Sequence, residues 1–169
     1  AERHYSTMRL EDICALPVAD IAADDCLLFM WGAWPKLFEA GAVLAAWGFD
    51  YKTCAFVWVK TNKRTNVNQA SFFPTESFDS FWGMGRWTRA NTEFCLLAVK
   101  GKPKRESAGV HQIIYAPIAA HSRKPDETRD RILELAGDLP RVELFARRTA
   151  PGWDVWGNEV KCDCEIQVP

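Results

Sequence analysis

Apolar runs recur along the chain and alternate with segments of helical period. The runs at residues 26–31, 54–59 and 94–99 contain almost no polar position, and shorter apolar runs follow at residues 112–115 and 142–145. Runs without polar alternation are typical of strands that are covered on both faces. We therefore predict a strand at each of these five runs. A sixth strand is predicted after the turn that follows residues 142–145.

Helical periodicity fills the intervals between these strands. Apolar positions in residues 35–47 repeat every three to four residues, with a proline in the first turn and Gly48 after the last, as at the start and end of a helix. Residues 125–136 predict a second helix that Gly137 ends, and residues 10–16 a short one. This alternation predicts an α/β domain of three layers with a mostly parallel sheet.

Residues 61–91 follow neither period. The segment is rich in Asn, Ser, Thr, Gly and aromatic residues. A connection of this length is usually either functional or disordered, and its aromatic content argues against plain disorder. The composition therefore favours a functional segment over a disordered one.

The composition excludes several classes of protein. Apolar residues make up 48% and charged residues 25% of 169 residues, which suits one ordinary globular domain. No apolar run reaches the ~18 residues that cross a bilayer, and the first residues do not resemble a signal peptide. The motifs of phosphate loops, dinucleotide-binding folds and zinc proteases are absent. We expect a cytoplasmic protein with reduced thiols, no metal and no membrane contact.

The net charge of −1 does not by itself indicate a nucleic-acid-binding protein. The distribution is more informative, because cations cluster at residues 60–64 and 100–105. A chain that is neutral overall can still present a basic face to phosphate.

Eight tryptophans are many for a chain of this length. Trp31, Trp47 and Trp58 lie inside apolar segments and are predicted core residues. Trp82, Trp87, Trp153 and Trp156 stand among glycines, asparagines and arginines. Aromatic rings beside cations suit stacking on an unpaired base; the alternative is that these rings pack a loop onto the core.

Charged residues lie after two of the predicted strands. Arg123 and Lys124 precede a helix, and Arg147 and Arg148 end a strand. Open α/β sheets bind ligands at the carboxyl ends of their strands, where cations suit a carboxylate. The alternatives are a capped helix start and a solvated strand end. Glu93, at the start of a strand, is either solvent-facing or functional.

Short motifs are distributed along the chain from Tyr5 to Glu159. In chain order the motifs are Tyr5-Ser6-Thr7-Met8, Leu16-Pro17-Val18, Leu28-Phe29-Met30-Trp31, Trp47-Gly48-Phe49, Trp58-Val59-Lys60-Thr61-Asn62, Gly83-Met84-Gly85-Arg86-Trp87-Thr88-Arg89-Ala90-Asn91-Thr92-Glu93, Lys100-Gly101-Lys102-Pro103, His121-Ser122-Arg123-Lys124-Pro125-Asp126-Glu127, Glu143-Leu144-Phe145-Ala146-Arg147, Gly152-Trp153 and Trp156-Gly157-Asn158-Glu159. Together they resemble the MT-A70 family of mRNA adenosine-N6 methyltransferase subunits, in a form similar to the phage and bacterial members.

This resemblance implies a Rossmann-like methyltransferase domain, here residues 1–169, that transfers a methyl group from S-adenosylmethionine to adenine N6. The substrate would be nucleic acid, with DNA favoured over RNA, and a homo- or heterodimer is compatible with the family. By resemblance, the residues that hold the cofactor would be Lys124, Glu143, Arg147, Asn158 and Glu159. The residues that contact the substrate would be Tyr5, Lys60, Asn62, Arg86 and Glu93.

The family's signature, Asp-Pro-Pro-Trp, does not occur in the 169 residues. In the family it accepts hydrogen bonds from the adenine amine and follows a central strand, so no catalytic residue is assigned here. Three explanations stay open. The sequence is part of a longer or truncated product, the protein is a non-catalytic relative that binds nucleic acid or a partner subunit, or a second chain supplies the strand.

Overall fold

The computed structural model describes residues 7–62, 87–119 and 123–167. Its elements in chain order are α1 (Leu10–Cys14), α2 (Val18–Ile21), β1 (Cys26–Gly32), a 3₁₀ helix (Trp34–Lys36), α3 (Leu37–Ala46), β2 (Asp50–Thr61), β3 (Thr92–Lys100), β4 (Ile113–Pro117), α4 (Glu127–Ala136), β5 (Val142–Leu144) and β6 (Asp154–Trp156). The predicted strands and helices are confirmed, with shifted ends. No helix within the described ranges is long and apolar enough to cross a membrane.

Four strands form one sheet in the order β1-β3-β2-β4, and β5 and β6 form a separate parallel pair. Both β1 and β2 run antiparallel to β3, whereas β2 and β4 are parallel. The prediction of a mostly parallel sheet is therefore wrong for the described residues, because the larger sheet is mixed. Uninterrupted apolar runs indicate that both faces of a strand are covered, but they carry no information about its direction.

Helices cover both faces of the larger sheet. On one face α1 and α3 pack against alternate residues of β3, among them Phe94 and Leu96. On the other face Cys95 packs with Trp58 of β2 and Ile132 of α4. Successive strand residues point to opposite faces, so β3 supplies side chains to both cores, and each large side chain buried there stabilises the fold by about 1.5–3 kcal/mol.

Two buried tryptophans attach neighbouring elements through their indole nitrogens. Trp47 Nε1 donates to the carbonyl oxygen of Ile13 at 2.8 Å, which joins α3 to α1. Trp58 Nε1 donates to the carbonyl oxygen of Ala116 at 2.8 Å, which joins β2 to β4. Both rings are at least 96% buried, as predicted. Each hydrogen bond satisfies a donor that would be costly to bury unpaired.

Helix α3 ends where the sequence predicts. Gly48 has φ of 76°, and the amide of Phe49 donates to the carbonyl oxygen of Leu44 at 2.9 Å while that of Gly48 donates to Ala45 at 3.1 Å. This pair of bonds is the Schellman motif, which requires a left-handed residue and therefore favours glycine. The turn directs β2 back across the helix.

The pair β5 and β6 is held to the rest of the fold by packing and by a close backbone approach. Leu144 and Trp156 pack against the core on the α1 and α3 side. Beyond the strands, a Cβ atom on Gly157 would lie 2.2 Å from the carbonyl oxygen of Ala146, so only glycine fits there. The approach fixes the segments that carry Arg147 and Glu159.

Candidate functional site

Several strand ends meet at one edge of the larger sheet. Because β1, β2 and β4 run in the same direction, their carboxyl ends share this edge with the amino end of β3, where Trp58 of β2 is paired with Glu93. The segment that leads into α4 returns to the same edge. Ligands of open α/β sheets bind at such an edge, so the geometry makes it the candidate site.

Glu93 lies at the centre of this edge. Its Oε1 atom accepts a hydrogen bond from Lys60 Nζ at 2.7 Å, and its Oε2 atom accepts one from Lys124 Nζ at 2.5 Å. The side chain of Glu93 is only 18% exposed. The structure therefore brings together three residues that the sequence places on two strands and a loop, and it excludes the solvent-facing alternative for Glu93.

Each lysine also lies over a tryptophan ring. Lys60 Nζ is 5.2 Å from the centre of the Trp58 ring, and Lys124 Nζ is 5.8 Å from that of Trp31. Both distances are within the range of a cation–π attraction. Trp31, predicted as a core residue, is thus only partly buried and helps to position Lys124.

Charge and burial act in opposite directions on Glu93. Burial alone would raise the pKa of the carboxyl group, but the hydrogen bonds and charges of Lys124 and Lys60 outweigh it, and the pKa is lowered. Glu93 therefore stays ionised at neutral pH and holds both ammonium groups in place.

A second carboxylate, Asp126, binds arginines from three places. Arg123 donates to it at 2.6 Å and Arg129 at 3.2 Å, and Arg148 also pairs with it. Arg148 follows β5, so this contact joins the segment after β5 to the start of α4. Lys124 and the pair of β5 and β6 are thereby brought to the same side of the molecule.

The remaining residues of the expected cofactor site lie around β5 and β6. Arg147 Nε donates to Glu159 Oε1 at 2.8 Å. Glu143 accepts hydrogen bonds from Arg129 of α4 at 2.5 and 3.0 Å. Asn158 is exposed beside Glu159 in the turn after β6. Arg147 and Glu159 are therefore paired with each other, and Glu143 is paired with α4.

A cleft of about 320 Å³ opens between β4 and the start of α4. Its lining residues are Ala116, Pro117, Ala119, Arg123, Lys124, Pro125, Asp126 and Glu127. Lys124 thus faces the cleft and the Glu93 cluster. Within residues 7–62, 87–119 and 123–167, no group of three His, Cys, Asp or Glu side chains is arranged to hold a metal ion.

Some expected site residues fall outside the described ranges, and some participants were missed. Tyr5 and Arg86 lie outside them, whereas Asn62 directly follows β2 at the candidate edge. Arg129 was not predicted. Its spacing from Asp126 on a helix was a readable signal, but its pairing with Glu143 depends on tertiary packing.

Known proteins match nearly the whole chain. The family described as MT-A70 matches residues 1–159. The Type II methyltransferase M.MunI of Mycoplasma sp is 36% identical over 167 residues, which cover 98% of this chain and 63% of that protein. The N(6)-adenosine-methyltransferase subunit METTL3 of Danio rerio is 28% identical over 162 residues, covering 94% of this chain and 26% of that protein.

A third relative gives the same picture. The N(6)-adenosine-methyltransferase MT-A70-like protein of Drosophila melanogaster is 29% identical over 162 residues, covering 94% of this chain and 24% of that protein. The chain therefore spans 63% of the bacterial relative and about a quarter of the two animal relatives.

Proposed function

Because the chain belongs to the MT-A70 family, we propose that its protein transfers a methyl group from S-adenosylmethionine to N6 of adenine in nucleic acid. The observation that supports this most directly is the Glu93 carboxylate, which holds Lys60 and Lys124 at the ligand-binding edge of the sheet. The bacterial relative has the higher identity, which favours DNA over RNA as the substrate. We further propose that residues 1–169 belong to one Rossmann-like domain.

The residues near Lys124 and β5 suit the proposed cofactor in their chemistry. S-adenosylmethionine carries a carboxylate, an ammonium group and ribose hydroxyls, and when bound it supplies a methyl group on a positively charged sulfur. Lys124 and Arg147 are cations suited to the carboxylate. The acceptors suited to the hydroxyl and ammonium groups are Glu143, Asn158 and Glu159.

The residues on the substrate side would bind and orient the base. Adenine has ring nitrogens that accept hydrogen bonds, and the ammonium group of Lys60 is a donor held by Glu93 at 2.7 Å. Glu93 acts through the two lysines and is a positioning residue in this proposal. By the family motifs, Tyr5, Asn62 and Arg86 are the further proposed contacts to the substrate. Positioning of this kind lowers the barrier to transfer without a covalent intermediate.

The test is a methylation assay with labelled S-adenosylmethionine and an adenine-containing oligonucleotide, followed by digestion and mass spectrometry. We expect label in N6-methyladenine and in no other nucleoside. Single- and double-stranded DNA and RNA of matched sequence are compared, and DNA is expected to be the better substrate. Absence of both product and cofactor binding would contradict the proposal.

A second candidate is a non-catalytic relative that binds nucleic acid or a partner subunit. The two ammonium groups of Lys60 and Lys124 outnumber the single Glu93 carboxylate between them, so this cluster can attract phosphate without any chemical step. This candidate predicts oligonucleotide binding that weakens with salt, because phosphate contacts release counterions. It predicts no methylated product at any enzyme concentration, so the same assay separates the two functions.

A further inference from the structure

Trp34 is a large aromatic side chain at the candidate edge. It is not among the cofactor or substrate contacts of the proposed function. It lies in the 3₁₀ helix directly after the carboxyl end of β1, and 46% of its surface is exposed. Its Nε1 atom donates to Thr92 Oγ1 at 2.8 Å, and its ring meets the buried Phe94 ring edge-on at 5.1 Å. The indole is therefore held in one place while nearly half of it stays in solvent.

The backbone beneath Trp34 is built to allow this position. A Cβ atom on Gly32 would lie 2.5 Å from Cζ of Phe94, so a glycine is needed for the chain to pass close to that ring. Pro35 follows in the first turn of the 3₁₀ helix, and the amide of Leu37 donates to the carbonyl oxygen of Trp34. The local sequence thus presents a rigid aromatic ring to solvent.

Trp34 lies across the sheet edge from the lysine cluster. Thr92 and Glu93 are successive residues of β3 and point to opposite faces of the sheet. Trp34 contacts Thr92 on the α3 face, whereas Lys60 and Lys124 contact Glu93 on the α4 face. The ring is therefore beside the site, separated from the Glu93 cluster by the thickness of one strand.

We propose that Trp34 stacks on a base that flanks the target adenine in the same strand. The inference rests on the proposed function and adds a second base-binding position to it. Flat aromatic surface next to cations is the combination that binds unpaired bases and their phosphates. Besides the lysines, Trp87 and Arg89 are exposed in the segment that leads into Thr92, so nucleic acid is the occupant that the charges favour.

Stacking on the Trp34 indole would stabilise a nucleotide that neighbours the target adenine. An enzyme that works on an extruded adenine must also hold the neighbouring nucleotides, whose bases lose their stacking partner. An indole fixed by Thr92 and Phe94 replaces that partner without losing side-chain freedom on binding. Stacking of this type tolerates any base, so Trp34 would increase affinity with little effect on sequence preference.

The test compares oligonucleotide binding by fluorescence anisotropy for the wild type, Trp34→Ala and Trp34→Phe. The probes are a single-stranded DNA with one adenine and the same strand with an abasic site beside that adenine. Trp34→Ala is expected to weaken binding of the intact strand by about 5- to 150-fold. Trp34→Phe is expected to keep most of the affinity, because a phenyl ring still stacks.

The abasic strand supplies the decisive comparison. Loss of the flanking base should weaken binding by the wild type but not by Trp34→Ala, which no longer contacts it. Tyr51→Ala is the matched control. Tyr51 is an exposed aromatic (56%) near the opposite end of β2, roughly 30 Å from Lys60 at the strand rise, and its loss should change neither affinity.

Besides normal DNA binding by Trp34→Ala, three results would overturn the inference. The first is an equal abasic penalty in the wild type and in Trp34→Ala. The second is loss of S-adenosylmethionine binding in Trp34→Ala, which would assign the ring a structural role. The third is a change of oligomeric state in light scattering, which would assign it to a protein interface. If the wild type methylates adenine and Trp34→Ala binds DNA normally, the inference fails and the proposed function stands. If DNA binding depends on Trp34 but no methylated adenine forms, the inference stands and the proposed function fails.

Discussion

At the residue scale, Glu93 couples two segments of the candidate site. It accepts hydrogen bonds from Lys60 of β2 and from Lys124 in the segment before α4. Each ammonium group also lies over an indole ring, so the lysine positions are fixed from two sides. Removing the carboxylate would leave two cations close together with no anion between them.

Replacing Glu93 by Gln should therefore lower stability in a pH-dependent way. At pH 7 we expect a loss of about 1.5–3 kcal/mol, the usual contribution of hydrogen bonds to charged groups. The pKa of Glu93 is lowered by folding, so the wild type has this stabilisation above the unfolded value of about 4.3 and loses it as the pH falls through the folded value. The difference in unfolding free energy, measured by urea denaturation, should shrink below about pH 4. A constant difference between pH 7 and pH 3 would contradict this prediction.

Substitution of Lys124 and substitution of Lys60 should affect different ligands. Lys124→Gln is expected to weaken S-adenosylmethionine binding by about 10- to 150-fold in calorimetry, since it removes a charged donor. Lys60→Gln is expected to raise the KM for the oligonucleotide while cofactor affinity changes little. Lys52→Gln is the control, because Lys52 is exposed near the opposite end of β2 from Lys60. Equal effects of Lys60→Gln and Lys124→Gln on cofactor affinity would contradict the assignment.

At the scale of elements, the strands and helices could be predicted because local sequence determines them. Apolar period and the turn signals Gly48 and Gly137 fix where α3 and α4 end. Strand direction could not be predicted, since it depends on how β3 enters between β1 and β2. The same limit applies to the site: motifs identified Glu93 and Lys124 as separate candidates, but the short contact between them exists only in the folded chain.

Two glycines, Gly41 inside α3 and Gly48 just after its end, provide a matched test of these helix rules. A Cβ atom at either Gly41 or Gly48 would meet nothing within 4 Å, so packing does not contribute. Gly41→Ala in the helix interior is expected to raise stability by about 0.5–1 kcal/mol. Gly48→Ala is expected to lower it by about 1–2 kcal/mol, because φ is 76° there. Thermal denaturation of both variants measures the difference, and changes of the same sign would refute the argument.

At the scale of the whole molecule, α4 links the two sheets. Ile132 packs on the larger sheet, while Arg129 of the same helix donates to Glu143 of β5. The contact of Arg148 with Asp126 adds a second link from β5 to the start of α4. The pair of β5 and β6 is short, so its position depends on these ion pairs as well as on Leu144 and Trp156.

Hydrogen exchange should show this dependence. The amides of β5 are expected to exchange before those of residues 94–98, which are nearly all buried in the centre of the larger sheet. Arg129→Gln removes the links to Glu143 and Asp126 and should speed exchange in β5 while leaving residues 94–98 unchanged. Arg9→Gln, which removes an exposed pair with Asp12, should change neither. If Arg129→Gln speeds amide exchange equally in β5 and in residues 94–98 of β3, the two sheets open as one unit and the prediction is contradicted.

The order of strands in the larger sheet also constrains how the chain acquires its structure during synthesis. Strands β1 and β2 do not pair with each other, because β3 lies between them and pairs with both. The last residue of β3, Lys100, is opposite Cys26, the first residue of β1. The segments of β1 and β2 therefore leave the ribosome well before β3, and they stay unpaired until β3 has been synthesised. Such long-range pairings close slowly, and exposed strands of this kind aggregate. A nascent chain that is stopped before residue 92 should thus remain bound to chaperones, and release should follow the synthesis of β3.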